Sequence, residues 1–334
     1  MLRQQHEYHP IIGYRYIPNL KIRILHESGG YLNKVNNLGF RCNHEFVVQK
    51  RPGMRRILLF GDSMTDGSGV SNENRYGDFL ESKIPNLEVY NFALGGTCTG
   101  QQYLTYREFA SGIEHDLMII APFVQTIQRT AAHYKYYLQS DGSVRALYAK
   151  PYFELVNGKL VLKGVPVPTE PVDNSGLTKR ERDFIDSDPL SSKGKLSKLI
   201  VKTNMERLAI KATFSWDPYP EYKSKNNPKW MLLRAILEEW IANHKQPVIL
   251  MPIPSRAHYD GEKSASHYQA RFRELLEVLP NCTLHDPLLD LLRYSLKERR
   301  EFHFKMDWHL SPKGHLAIAN SIEPRIRKLL EPNA

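Results

Sequence analysis

The segment Ile57-Leu58-Leu59-Phe60-Gly61-Asp62-Ser63 decides the fold class of this chain. Four consecutive apolar residues predict a strand that is covered on both faces, and the Gly, Asp and Ser that follow favour a turn. Ser63 therefore lies at the carboxyl end of a buried strand. Open α/β sheets bind their ligands along that edge, so the Ser63 hydroxyl is a candidate functional group.

Short apolar runs and amphipathic helical patterns alternate along the rest of the chain. Apolar side chains recur at helical spacing after Asn227-Pro228, over residues 268–279 and after Ser311-Pro312, where Pro324 is expected to kink or break the last helix. Such alternation gives right-handed βαβ units, so we expect an α/β fold with a mainly parallel sheet of about five strands. The predicted strands are residues 57–60, 89–92, 117–121, 248–252 and 283–285.

Two segments fall outside this alternation. Residues 1–50 are rich in Tyr, His and Asn, and we interpret them as a β-rich N-terminal extension packed on the core. Residues 51–334 then form one domain, interrupted by an insertion over residues 130–226 that is far too long for an ordinary loop. We interpret this insertion as a cap or lid over the site.

The insertion carries two local patterns of its own. Asn157-Gly158 separates two apolar runs, 152–156 and 159–162, and predicts a β-hairpin. Apolar spacing near residues 196–212 predicts a helix.

Composition limits the class of protein. The chain has 334 residues, with Lys+Arg 46 against Asp+Glu 36 and a net charge of +10. Such a balance favours anionic partners such as a charged glycan, but a surface that is merely basic is the simpler interpretation. The charges are mixed in sign and form no long basic block, so no nucleic-acid partner is expected. No apolar leader and no stretch of 18 apolar residues is present, which indicates a cytoplasmic protein without a membrane span. The oligomeric state stays open.

The three cysteines, Cys42, Cys98 and Cys282, fit neither a zinc pattern nor a disulfide framework. A reducing compartment and no metal site are therefore expected. Cys98 lies in a Gly/Thr-rich turn, where it could act as a nucleophile, but a buried structural thiol is the simpler interpretation because no base is adjacent in sequence.

A serine hydroxyl needs a base to become nucleophilic, and the far end of the chain offers one. Asp307-Trp308-His309 lies in the loop that enters the last helix, at the same edge of the sheet. His309 is the candidate base and Asp307 the acid that would fix its tautomer. His303 and His315 are the local competitors.

Polar and glycine residues follow two neighbouring strands. Gly95-Gly96 ends the second strand, where glycine allows a backbone N–H to approach a ligand. Gln125, after the third strand, carries an amide suited to an oxyanion hole, and Arg129 could contact an anionic substrate group. A plain turn and ordinary surface residues remain alternative interpretations for these positions.

Taken together, these blocks resemble the SGNH/GDSL hydrolase family. Gly61 to Gly67 looks like its first block, Asn91 to Gly96 like its second, and Asp307 to His309 like its last. The resemblance implies a flavodoxin-like three-layer α/β/α sandwich and ester hydrolysis without metal or cofactor. In this reading Ser63 is the nucleophile, His309 the base and Gly96 an oxyanion donor, while Asp62 of the first block is counted among the substrate-binding residues.

Two departures from the family pattern stand out. The third block usually supplies asparagine followed by aspartate, whereas Gln125-Thr126 occupy that place here. The last block is most often Asp-x-x-His, whereas the spacing here is Asp-x-His. An Asn-x-x-Gly-Phe-Arg lead-in, Asn36 to Arg41, is similar to one found in many bacterial members.

The leading hypothesis is a serine-dependent O-deacylase that acts on an acylated carbohydrate or a related small metabolite. One alternative is an acyltransferase that uses the same triad with a sugar hydroxyl in place of water. Another is a non-catalytic binding module that keeps the pocket. Lipase action is disfavoured because no amphipathic membrane segment is evident.

Overall fold

A five-stranded, fully parallel sheet forms the centre of the protein, in the computed structural model that describes residues 5–138, 145–186 and 219–331. The strand order β14-β13-β7-β5-β6 places β5, the strand before Ser63, between β7 and β6. The predicted α/β class is confirmed, and observed and predicted strands differ by only a few residues at their ends. The five strands are β5 (Arg55–Gly61), β6 (Leu87–Asn91), β7 (Leu117–Ala121), β13 (Val248–Leu250) and β14 (Cys282–Leu284).

Helices cover both faces of this sheet. Neighbouring residues of a strand point to opposite faces. Gly77 lies against the Leu59 side chain on one face, and the Trp240 ring packs edge-on against Phe60, 5.1 Å between centroids, on the other. The result is a three-layer α/β/α sandwich, as the family resemblance implies. The helices are α1 (Ser63–Asp66), α2 (Tyr76–Lys83), α3 (Thr99–Thr105), α4 (Ile127–Thr130), α5 (Lys179–Arg182), α6 (Pro228–Ala242), α7 (Arg256–Tyr259), α8 (Ser266–Leu276), α9 (Leu288–Leu291), α10 (Leu296–Arg299) and α11 (Pro312–Leu330).

The sequence predicted a kink or a break at Pro324, but the last helix, α11, runs through Pro324 without ending there, so the break is wrong. Pro324 lies on the exposed side, and the carbonyl that loses its hydrogen bond belongs to Asn320, which is also exposed. Water can satisfy that carbonyl. Ile318, Ile322 and Ile326 are buried on the opposite side and hold the helix on the sheet.

Two antiparallel hairpins make up most of residues 5–34. Their side chains Ile12 and Tyr16 belong to the same buried apolar cluster as the central sheet, as do Phe40 and Phe46 from the segment that follows. The strands are β1 (His6–His9), β2 (Gly13–Tyr16), β3 (Lys21–Ile24) and β4 (Tyr31–Lys34).

The described part of the insertion contains a small sheet and a hairpin. The predicted hairpin is confirmed, with Asn157 and Gly158 at φ 52° and 77° in its turn. The small sheet has the order β12-β8-β9, and the helix predicted over residues 196–212 lies outside the described residues. The strands are β8 (Tyr134–Leu138), β9 (Arg145–Ala149), β10 (Tyr152–Val156), β11 (Lys159–Lys163) and β12 (Ile185–Asp186).

Within the described ranges, every helix is too short or too polar to cross a lipid bilayer.

Candidate active site

Ser63 is the first residue of α1 and follows β5 directly. Asp62 caps this helix, since its Oδ1 accepts a hydrogen bond from the Met64 N–H at 3.0 Å. A side chain at Gly61 would overlap that of Thr65, so only glycine permits this tight strand-to-helix turn. The sharp turn leaves Ser63 half-buried at the carboxyl end of the sheet.

The loop after β6 lies against this turn. Asn91 joins the two, donating from Nδ2 to the Thr65 carbonyl at 3.1 Å and accepting from the Ala93 N–H at 2.9 Å. A Cβ built on Gly95 would be 3.8 Å from Ser63 Cβ, so this glycine lies beside Ser63. The structure therefore brings the first two predicted blocks together.

Two side chains from outside the core donate hydrogen bonds to the carbonyl groups of Gly95 and Gly96. The Tyr14 hydroxyl donates to the Gly95 carbonyl at 2.6 Å, and Lys135 Nζ donates to the Gly96 carbonyl at 2.5 Å. The Gly95 C=O and the Gly96 N–H belong to one peptide plane and point in opposite directions. Tyr14 consequently fixes the direction of the Gly96 N–H, the predicted oxyanion donor.

Asp307 and His309, the predicted acid and base, are also in contact. His309 Nδ1 and Asp307 Oδ1 are 2.5 Å apart, and the other oxygen of Asp307 lies 3.1 Å from His26 Nε2. Burial acts to raise the pKa of Asp307, but the hydrogen bonds and charges of His309 and His26 outweigh it and lower the pKa. Asp307 is therefore a carboxylate shared by two imidazoles, of which the sequence pattern indicated only one.

The loop that carries Asp307 is anchored by the N-terminal extension. The Glu27 carboxylate accepts three backbone N–H groups in succession, from Lys305 at 3.1 Å, Met306 at 2.9 Å and Asp307 at 2.7 Å. The sequence did not indicate His26 and Glu27, because no motif marks them and their partners lie some 280 positions away in the chain.

The relation between Ser63 and His309 is indirect in this structure. Burial raises the pKa of Asp62, the residue before Ser63, and the charges of Arg129 and His309 act in the opposite direction. Among the described residues, Ser63 Oγ makes no hydrogen bond. Contacts between nucleophile and base often tighten only when substrate binds.

Gln125 lies in a single 3-10 turn, Val124–Thr126, that follows β7. The Tyr219 hydroxyl donates to its Oε1 at 3.3 Å. That bond occupies the amide oxygen and leaves the amide N–H groups, for which the described residues supply no acceptor, to a substrate oxygen. The position can thus supply a donor despite the change from asparagine.

Arg129 lies on α4, one turn beyond Gln125. Its Nε donates to Asp186 Oδ2 at 2.9 Å, and its side chain is largely buried. The guanidinium therefore faces strand β12 in this structure rather than standing alone as an anion receptor.

The competing nucleophile and bases are buried. His315 is fully buried and its Nδ1 accepts from the Tyr76 N–H at 3.3 Å; burial, followed by the charges of nearby arginines, lowers its pKa to about 3. His303 donates to the Phe304 carbonyl at 2.9 Å. Cys98 is buried beside Lys150 Nζ, 3.3 Å away. Across the described ranges, His, Cys, Asp and Glu side chains form no group of three or more that could hold a metal ion.

Comparison with known proteins gives one family and a set of distant structures. Residues 57–134 match the family model described as GDSL-like Lipase/Acylhydrolase. This stretch contains Ser63, Gly96, Gln125 and Arg129, but not His309. A comparison with curated proteins gives no match.

Solved structures similar to this chain come from several sources. A member of the lipolytic G-D-S-L family from Veillonella parvula is 13% identical, with 80% of this chain and 96% of that chain covered and a TM-score of 0.39. A lipase/acylhydrolase from Enterococcus faecalis is 16% identical, with 84% and 100% covered and a TM-score of 0.40. An acetyl xylan esterase is 14% identical, with 81% and 99% covered and a TM-score of 0.41. Likenesses this distant say nothing about the substrate.

Proposed function

We propose that this chain, which belongs to the GDSL-like lipase/acylhydrolase family and is an ester-bond hydrolase, is a serine-dependent O-deacylase with Ser63, His309 and Asp307 as its triad. The observation that carries the proposal is the 2.5 Å contact between His309 Nδ1 and Asp307 Oδ1 at the sheet edge where Ser63 begins α1. A histidine whose Nδ1 is held by a carboxylate presents Nε2 as a base.

The proposed reaction has two halves. The Ser63 oxygen attacks the acyl carbonyl while His309 Nε2 takes the hydroxyl proton and passes it to the leaving alcohol. Water, deprotonated by His309, then attacks the acyl-serine, and the serine recovers its proton as the acid leaves. The N–H groups of Ser63 and Gly96 and the Gln125 amide would hold the oxyanion.

Tyr14 supports the role of Gly96 in this scheme. Burial raises the pKa of its hydroxyl, so the group stays protonated and donates to the Gly95 carbonyl at any ordinary pH. A donor on that carbonyl polarises the peptide and strengthens the Gly96 N–H as a donor in its turn.

The proposed substrate is an acylated carbohydrate or a related small metabolite. Tyr14, Gln125, Arg129 and Lys135 give this edge of the sheet several polar and charged groups, which suits a hydrophilic alcohol better than an alkyl chain. We also propose that residues 1–50 form an extension on a hydrolase domain of residues 51–334, with residues 130–226 as its lid.

The test is a screen of acetylated sugars and short acyl esters with Ser63→Ala beside the wild type. Ser63→Ala should abolish release of the acid while the circular dichroism spectrum and melting temperature stay unchanged. Ser68→Ala is the matched control, because Ser68 is half-buried and its hydroxyl also lies near Gly95. Hydrolysis that survives in Ser63→Ala would sink the proposal.

Two further measurements separate the rivals. A fluorophosphonate probe should label Ser63, whereas labelling of Cys98 would indicate a thiol mechanism. Product analysis with an added sugar acceptor distinguishes hydrolysis, which releases free acid, from acyl transfer, which forms a new ester. No labelling and no turnover of any ester would favour a binding module.

A further inference from the structure

A second imidazole, that of His26, shares the Asp307 carboxylate with His309. His26 lies just after strand β3 of the N-terminal hairpins, and its Nε2 is 3.1 Å from Asp307 Oδ2. Asp307 Oδ1 faces His309 Nδ1 at 2.5 Å, so each carboxylate oxygen has its own imidazole partner. The His26 side chain is only 10% exposed, against 32% for Asp307. Because His26 shields this contact from water, the hydrogen bond is stronger than one between exposed side chains.

Ser28 determines which nitrogen of His26 carries the proton. The Ser28 backbone N–H lies 3.3 Å from His26 Nδ1, and because this group can only donate, Nδ1 must accept. The Ser28 hydroxyl lies 3.0 Å from the same nitrogen. In a neutral imidazole one nitrogen accepts and the other carries the proton, and here the second nitrogen is Nε2. His26 therefore donates Nε2–H to Asp307 without having to be charged.

The His26 ring is held in place by its aromatic neighbours. Phe304 and Tyr31 both pack edge-on against it, at 4.5 Å and 5.8 Å between ring centroids. Gly69, at φ 91°, makes room for this arrangement, since a Cβ there would lie 2.6 Å from the Phe304 ring and 3.1 Å from His26 Cε1. An imidazole packed on two sides does not swing away, so its Nε2–H stays directed at Asp307.

The next residue, Glu27, holds the backbone of the same loop. Its carboxylate accepts three successive N–H groups, the last from Asp307 at 2.7 Å. His26 and Glu27 together hold Asp307 at two points, the carboxylate and the main chain. Asp307 is partly exposed, so without His26 its Oδ2 would turn to water and the carboxylate would be free to rotate away from His309.

We propose that His26 is a positioning residue of the proposed triad, whose Nε2–H holds Asp307 Oδ2 so that Oδ1 stays on His309 Nδ1. The inference rests on the proposed function, because it adds a fourth residue to the same site. The donated hydrogen bond also favours the ionised form of Asp307, so the carboxylate remains the acceptor when His309 takes the serine proton. A neutral donor suits this task, since a cation at the same position would oppose the charge that His309 gains.

Two substitutions at His26 separate its hydrogen bond from its packing. His26→Phe keeps a ring against Phe304 and Tyr31 but removes the donor, whereas His26→Gln removes the ring and places an amide N–H near the position of Nε2. On the neutral ester that the wild type hydrolyses fastest, His26→Phe should lower kcat roughly 10- to 100-fold and change KM less than about 2-fold, because His26 acts through Asp307 and not on the substrate. His26→Gln should keep kcat within about 5-fold of the wild type.

His44→Phe is the matched control. His44 also belongs to the N-terminal segment, and its Nε2 also contacts a carboxylate oxygen, that of Glu81 at 2.7 Å. Its ring also lies near an aromatic ring, that of Tyr90 at 6.0 Å. These partners lie on α2 and β6 and not on the Asp307 loop, so kcat of His44→Phe should equal that of the wild type.

Equal falls in kcat for His26→Phe and His44→Phe, or a kcat of His26→Gln as low as that of His26→Phe, would overturn the proposal. If His26→Phe does not fold, His26→Asn takes its place, since the Asn amide is one methylene shorter than that of Gln and does not reach Asp307.

A spectroscopic measurement keeps this inference separate from the proposed reaction. In Ser63→Ala, the proton between His309 Nδ1 and Asp307 Oδ1 should give a low-field proton NMR resonance, which His309→Gln removes and so assigns. His26→Phe in that background should speed the exchange of this proton with water at least about 10-fold, and His44→Phe should not. An unchanged exchange rate in His26→Phe would overturn the positioning role. Faster exchange in a protein that hydrolyses no ester would leave the contact of His26 with Asp307 standing and remove the proposed reaction.

Discussion

At the scale of single residues, the candidate site divides into positions that a motif marks and positions that only the fold reveals. Ser63, Asp307 and His309 lie in short segments whose composition indicates chemistry, so the sequence alone makes them candidates. Tyr14 and Lys135 contact Gly95 and Gly96 from 81 and 39 positions away. No local pattern distinguishes such a tyrosine or lysine from an ordinary surface residue.

Tyr14→Phe tests the hydrogen bond that aims the Gly96 N–H. Loss of one neutral hydrogen bond of about 0.5–1.5 kcal/mol should lower kcat by roughly 2- to 10-fold and leave KM nearly unchanged, because the oxyanion forms only in the transition state. Steady-state kinetics on a neutral ester gives both constants.

Tyr8→Phe is the control for Tyr14→Phe. It removes a comparable 2.7 Å bond from the same N-terminal segment, which runs from the Tyr8 hydroxyl to the Val167 carbonyl and not to Gly95. An equal fall in kcat for both variants would mean that Tyr14 acts on the stability of the protein and not on the direction of the Gly96 N–H.

At the scale of elements, the lead-in Asn36 to Arg41 now has a structural explanation. Asn36 Oδ1 accepts the N–H groups of Leu38 and Phe40, at 3.1 and 3.0 Å, and closes a turn in which Gly39 has φ 81°. The turn sends the buried Arg41 side chain to the Gly67 carbonyl at 2.9 Å, directly after α1. This segment thus supports the helix that begins with Ser63.

Glu27 supports the loop that carries Asp307 and His309 in the same way. Glu27→Gln keeps the shape but replaces a charged acceptor of three N–H groups with a neutral one. We expect kcat to fall roughly 10- to 100-fold, because a misplaced Asp307 loosens the orientation of His309. The melting temperature should change little, since Glu27 is an exposed side chain.

Glu45→Gln is a matched control for Glu27→Gln. Glu45 is also exposed and also accepts a backbone N–H, that of Asn37 at 2.8 Å, but in a turn that does not contact the Asp307 loop. Similar kinetics for Glu27→Gln and the wild type would show that the loop holds its shape without the carboxylate.

At the scale of the whole molecule, the alternation of strands and helices predicted the layers and the parallel sheet. Buried parallel strands are short apolar runs, which are visible in the sequence. The arrangement of the N-terminal hairpins and the insertion was not predictable in the same way. Their contacts, such as Tyr14 with Gly95 and Lys135 with Gly96, depend on long-range packing that leaves no periodic signal in sequence.

His315 makes the stability of the whole fold depend on pH. Its pKa is lowered to about 3 in the folded protein, while an unfolded histidine has its ordinary value of 6.5. Between these values the unfolded chain binds the extra proton, so the free energy of unfolding falls as pH decreases from about 6.5. This residue alone should contribute about 1.4 kcal/mol per pH unit over that window.

Urea unfolding at pH 7, 6 and 5 measures this dependence. His315→Gln should have a smaller slope of stability against pH by about one proton, whereas Asn320→Gln, on the exposed side of the same helix, removes no titratable group and should keep the slope of the wild type. A slope in His315→Gln that matches the wild type would show that other groups dominate acid unfolding.

The positions of the proposed triad along the chain have a consequence for the newly made protein. Ser63 lies in the first fifth of the sequence and His309 follows 246 positions later. At about 5–20 residues per second, a ribosome completes the serine roughly 12 to 50 s before the histidine. Under the proposed mechanism the nascent chain carries Ser63 without His309 throughout that interval, so ester hydrolysis can begin only after residue 309 has been made.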